Sequence, residues 1–147
     1  MPRSKHLPLI LSAIVFTVML ASCATQMGAT HSHESFDWAR EDPLAFLAFL
    51  QTKKDDPCPT VVVPEIPDTW LTKEHLSRLQ ELLDSREPCA NVHSIYSSFR
   101  DCRMSTVGHE AAFLMEGFRK GSYPPEMNSG GAELDMEALR HLNPMRP

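Results

Sequence analysis

Four prolines within eleven residues constrain this chain more than any other feature. Pro57, Pro59, Pro64 and Pro67 punctuate the run PCPTVVVPEIP. Each locks φ, removes a backbone donor and pushes its predecessor out of the helical region, so residues 57–67 cannot be helical. What the prolines leave between them is Thr60, Val61, Val62 and Val63. This β-branched run fits one short buried or edge strand.

Helical signals flank that segment. Asp42 and Pro43 suit an N-cap and a first helical position. Residues 44–50, LAFLAFL, are apolar on every side, which predicts a core helix; the alternative is a helix lying against lipid. Downstream, Thr72 is placed to cap a second helix, with Leu71 stapled onto Leu76. Leu76, Leu79, Leu82 and Leu83 share one face of it. His75 falls at the margin of that stripe and is given no role. Pro88 stops the helix, and residues 91–97 read as a second short strand. Ser105 is expected to cap a third helix, striped by Val107, Ala111, Leu114 and Phe118 and closed by Gly121. Gly108 and Gly117 each cost about 1 kcal/mol relative to alanine there, which points to close packing against a neighbour. A last short helix carries Leu134, Ala138 and Leu142 and ends at Asn143 and Pro144. The fold class expected is a small α/β or α+β domain of three to four helices and two short strands.

The beginning of the chain belongs to none of this. Arg3, Lys5 and His6 precede an uncharged apolar run over residues 7–20, followed by the small residues Ala21 and Ser22. That is the layout of a secretory signal, basic end cytoplasmic. Leu20-Ala21-Ser22-Cys23 resembles the lipobox of bacterial lipoproteins: an aliphatic residue, two small residues, then cysteine. The resemblance implies that the Cys23 thiol receives a diacylglycerol, that cleavage precedes it, and that its new amino group is acylated. Ala24 stands where an aspartate would resemble an inner-membrane retention signal, so the expected destination is the outer membrane, facing the periplasm. The alternatives are an uncleaved signal anchor, for which the apolar run is short against the ~17–25 residues a span needs, and an ordinary cleaved signal. The resulting organisation is a leader over residues 1–22, a lipidated tether over 23–41, a globular domain over 42–125 and a tail over 126–147.

Loss of residues 1–22 leaves 125 of the 147 residues, enough for one small domain. The leader carries Arg3 and Lys5 and no acid, so 12 basic side chains remain against 19 acidic ones, a net charge of −7. An acidic body argues against a nucleic-acid partner and against docking on anionic lipid by charge. The expected partners are membrane lipid, through the covalent acyl chains, and an envelope protein.

With Cys23 acylated, Cys58, Cys89 and Cys102 remain in an oxidising compartment. If residues 60–63 and 91–97 are the strands of a β-α-β unit, their starts lie side by side. Cys58 and Cys89 are then the expected disulfide. Cys89–Cys102 is the rival if residues 90–99 fold back as a hairpin or helical turn.

Motifs for chemistry are sparse. His109 and Glu110 begin an H-E-x-x-H pattern, but Phe113 stands where the second zinc ligand belongs. The pair His31 and His33 lacks a third ligand nearby, and no cofactor fingerprint appears. Trp38 and Trp70 read as lids on the core. One cluster remains, His93, Ser94, Cys102 and His109, in which a thiol or hydroxyl beside a histidine would be a nucleophile. Two functions follow. The chain is a non-enzymatic envelope lipoprotein that presents an interaction or assembly module. Alternatively it is a small anchored hydrolase or ligand-binding enzyme, which requires at least three of those four residues to converge.

Overall fold

The computed structural model describes residues 35–143. The leader, the lipobox with Cys23, His31 and His33, and Pro144 lie outside the described residues. Among the described residues the domain is a mixed α/β fold with four helices and two small sheets. In chain order these are α1 (Pro43–Thr52), β1 (Thr60–Val63), a 3-10 turn (Asp68–Trp70), α2 (Lys73–Leu82), β2 (Pro88–Cys89), β3 (Asn91–Ser94), β4 (Ser105–Thr106), α3 (Val107–Lys120) and α4 (Met136–Arg140). β1 and β3 pair in parallel, Thr60 opposite Asn91 and Val63 opposite Ser94, so β1-α2-β3 is the expected β-α-β unit. β2 and β4 form a second, antiparallel pair with Cys89 opposite Ser105.

The helix starts follow from local chemistry. Asp42 Oδ1 accepts from the amides of Leu44 and Ala45 at 2.9 and 2.8 Å, with Pro43 in the first turn. At α2 the Thr72 amide donates to His75 Nδ1 at 3.1 Å, and the His75 amide donates to the Thr72 carbonyl at 3.1 Å. His75 therefore does what a glutamate usually does in a capping box, a role its place in the sequence did not suggest. For α3 the cap is Thr106, whose Oγ1 accepts from the His109 amide at 3.3 Å, one residue beyond the expected Ser105. Ser105 is instead drawn into the short pairing with Cys89.

α3 is the hub. Ten of its fourteen residues, from Val107 to Gly117, are buried, including Phe113, Leu114 and Met115 at zero exposure. A single stripe is expected from its sequence. It is covered on more sides because α1, α2, β4 and α4 all pack on it. Both of its glycines are contact points. A Cβ on Gly108 would stand 2.5 Å from the Leu83 carbonyl oxygen, and one on Gly117 would stand 2.9 Å from the Tyr123 ring. Gly121 adopts φ 70°, the left-handed cap that favours glycine, and ends the helix.

α1 is a core helix: Phe46, Leu47 and Leu50 are buried. The core starts earlier than Asp42, because Phe36 is only 8% exposed. Phe36 meets Trp38 at 4.7 Å and Phe46 at 5.1 Å between ring centres, and Trp38 meets Trp70 at 5.2 Å. Trp70 Nε1 donates to the Glu41 carbonyl at 2.8 Å, so both tryptophans close over this aromatic cluster as lids. Edge-to-face pairs of this kind add about 0.5–1.5 kcal/mol each beyond the area they bury. The expected second strand over 91–97 is shorter, because the chain turns after Ser94. The C-terminal segment is docked: Ser129 and Leu139 are buried, whereas Ala138 faces out.

Candidate functional site

Polar side chains converge where β1 and β3 begin, as the loop that left β3 after Ser94 returns towards β4. Asn91 is 1% exposed, and its amide nitrogen donates to the carbonyls of Asp101 and Arg103 at 2.6 and 2.9 Å. Thr60 Oγ1 donates to the same Asp101 carbonyl at 2.8 Å. One asparagine and one threonine thus pin the carbonyls on either side of Cys102. The loop's only charged pair within this turn is internal. Arg103 Nε donates to both carboxylate oxygens of Asp101, at 2.9 and 2.8 Å. That guanidinium and the Arg103 amide hold the Asp101 carboxyl down to about 2.

This clamp corrects the disulfide expectation. The bond joins Cys58 to Cys102, with Cα atoms 4.5 Å apart, and not Cys58 to Cys89. The strands lie as expected, β1 and β3 parallel, but the side chain at position 89 turns away from Cys58. Cys89 is at zero exposure, in the core, and its residue pairs with Ser105. The pinned loop, meanwhile, delivers Cys102 to the half-buried Cys58. The rival Cys89–Cys102 pairing is overturned as well, because Cys89 is the free thiol among the described residues. Burial, and then the nearby Glu110, push that thiol up to about 12. A thiol so placed is inert. Folded protein therefore takes up no maleimide at Cys89, and denatured protein without reductant takes up one equivalent at that residue; prompt labelling of Cys89 under native conditions would contradict the burial.

The four clustered candidates take different positions. Cys102 has no thiol to act as a nucleophile. His93 is 1% exposed, and both ring nitrogens are engaged: Nδ1–H donates to the Phe99 carbonyl at 2.9 Å, and Nε2 accepts from the Asp101 amide at 3.3 Å. It closes the 95–101 loop as a brace. Ser94 Oγ accepts from the Tyr96 amide at 3.2 Å and borders a separate hollow with Glu65 and Met127. His109 Nε2–H donates to the Ser129 carbonyl at 2.8 Å. His109 also borders a polar cleft of about 290 Å³ with Asn91, Arg103, Ser105, Thr106 and Gly130. The structure places His109 in that cleft without Ser94 or a free thiol.

The residue that sequence reading passed over is Glu110. In the sequence it stands only within a broken zinc motif. It is wholly buried; Oε1 accepts from Ser129 Oγ–H at 2.7 Å, and Oε2 has no hydrogen-bond partner among the described residues. Its position between His109 and Ala111 on an apolar stripe was the available signal: a carboxylate on a buried face. Among the described residues no group of three histidine, cysteine, aspartate or glutamate side chains is placed to hold a metal ion. Nor is any helix there long and apolar enough to cross a membrane. No protein-family model matches the chain, and neither a curated protein nor a solved structure is significantly similar to it.

Proposed function

We propose that this chain is a bacterial envelope lipoprotein, anchored through acylated Cys23, whose domain serves as a non-enzymatic interaction or assembly module. The observation that carries the reading is the tetrad Leu20-Ala21-Ser22-Cys23 at the end of a basic-then-apolar leader. At ~0.8 kcal/mol per buried methylene, two or three acyl chains hold a protein to a membrane almost permanently, whereas one does not. A net charge of −7 on the remainder supplies no attraction to anionic lipid, so the anchor has to be covalent. The core begins at Phe36, thirteen peptide steps from Cys23. That length lets the domain stand at most roughly 45 Å from its anchor. The outer membrane, periplasmic side, is the location this reading assigns.

Two features support a module over an enzyme. His93 and Cys102 are both consumed in holding the 95–104 loop, and that loop presents Ile95, Tyr96 and Phe99 at 58%, 70% and 67% exposure. Large apolar side chains so close together and so bare are what a partner covers. The anchor is tested by mass spectrometry of protein purified from membranes. The expected product begins at Cys23 and carries a diacylglyceryl thioether and an amide-linked acyl chain, and Cys23→Ser leaves the membrane fraction. An unmodified residue 23, or a retained leader, overturns the reading.

A further inference from the structure

The buried Glu110 carboxyl sits at the junction between α3 and the segment over residues 127–131. That segment lies against β3 through a ring of bonds. Ser94 N–H donates to the Met127 carbonyl at 2.9 Å, and Ser129 N–H to the Val92 carbonyl at 2.8 Å. Val92 N–H donates back to Ser129 Oγ at 2.9 Å, and Ser129 Oγ–H passes the chain on to Glu110 Oε1 at 2.7 Å. His109 Nε2–H holds the Ser129 carbonyl at 2.8 Å. Ser129 is thus the knot of the segment, and Glu110 is the acceptor on which its hydroxyl ends. Gly130, the next residue, forms part of the rim of the polar cleft.

The surroundings of Glu110 lack a counter-charge. The groups that face it are the Cys89 thiol on β2, the Tyr123 hydroxyl beyond α3, and the hydroxyls of Ser105 on β4 and Ser129. α1, α2 and α4 contribute buried side chains that are apolar, Phe46, Leu50, Leu76, Leu79 and Leu139 among them. No ion pair to Glu110 is present among the described residues. With one oxygen unpartnered, an ionised carboxylate in such a place loses far more hydration free energy than the neutral acid does.

We propose that Glu110 is a proton-operated latch: protonated, it keeps the 127–131 segment closed on β3, and ionised, it drives that segment open to admit water. Burial, opposed by the Ser105 and Ser129 hydroxyls, raises the Glu110 carboxyl to about 7. The closed form binds the proton more tightly than the open form, in which the carboxyl returns towards 4.5. Closure is therefore fully present at pH below about 4.5 and is lost as pH rises through about 7. Linkage over that window makes the opening constant rise on the order of 10²-fold between pH 5 and pH 8. Opening detaches Ser129 from Val92 and Glu110 and removes Gly130 from the cleft rim. The cleft is thus complete in acid and incomplete in mild alkali.

Amide hydrogen exchange on the full domain tests this, with rates corrected for base catalysis. Protection of the Val92 and Ser129 amides is expected to fall roughly 10²-fold from pH 5 to pH 8, and Glu110→Gln to abolish that fall. A parallel carbon-13 titration gives the Glu110 carboxyl directly in the unmutated chain. Ser129→Ala, which removes a hydroxyl that favours the charged form, raises its midpoint. A midpoint near the ordinary glutamate value, a midpoint unmoved or lowered by Ser129→Ala, or protection at Val92 that does not depend on pH, overturns the proposal.

Discussion

Replacing Cys58 and Cys102 together by serine lowers the free energy of unfolding by about 4 kcal/mol. The bridge closes a loop of 44 residues, and the loop-closure entropy it removes from the unfolded chain is of that size. A domain of this size has a total stability of only about 5–15 kcal/mol, so the loss is a large fraction of what holds it together. Urea unfolding of the oxidised protein, the reduced protein and the double variant measures it. The reduced protein and the double variant should agree, since Cys89 is buried and does not replace either partner. Asn91 and Thr60 still bond the carbonyls of Asp101 and Arg103 in the variant, so the loop keeps its local path while the unfolded chain gains freedom. A loss below about 1 kcal/mol would mean that the unfolded state is already compact around this crossing.

Gly108→Ala is expected to cost about 3 kcal/mol or more, although alanine is the better helix former by about 1 kcal/mol. The new methyl would stand 2.5 Å from the Leu83 carbonyl oxygen and 2.7 Å from that of Ser85. Both obstacles are backbone, so neither can rotate away. Displacing them also stretches the bond from Gly108 N–H to the Ser85 carbonyl, now 3.1 Å. Gly117→Ala is the internal control. Its nearest obstacle is the edge of the Tyr123 ring at 2.9 Å, with the Ser122 carbonyl at 3.1 Å, and a side chain yields more readily than a carbonyl. The expected order is a large loss at 108 and a smaller one at 117. The midpoint of chemical denaturation reads both, and a neutral or stabilising Gly108→Ala would remove the close crossing of α2's end over the start of α3.

Much of the secondary structure was legible because its causes are local. Asp42 with Pro43, Thr72 and Gly121 act through dihedrals and hydrogen bonds within three or four residues, and each marks a helix end where expected. The prolines at 59 and 64 left room for a strand of four residues, and the strand is Thr60–Val63. The parallel β-α-β unit followed from a helix of the right length between two strand candidates. The candidate site was hardly legible. Its members come from residues 91, 103–106, 109 and 130, and their meeting depends on where two loops return.

The residue pattern alone dictated the segments of the domain: which stretches are helical and where they stop. It could do so because capping, proline geometry and hydropathy are settled by near neighbours along the chain. Which cysteines meet, that Glu110 is sealed without a counter-ion, and that α3 is enclosed on so many sides emerged only from the folded arrangement. Each of these depends on contacts between residues tens of positions apart, and a one-residue change in the direction of a side chain, as at Cys89, is enough to exchange one partner for another.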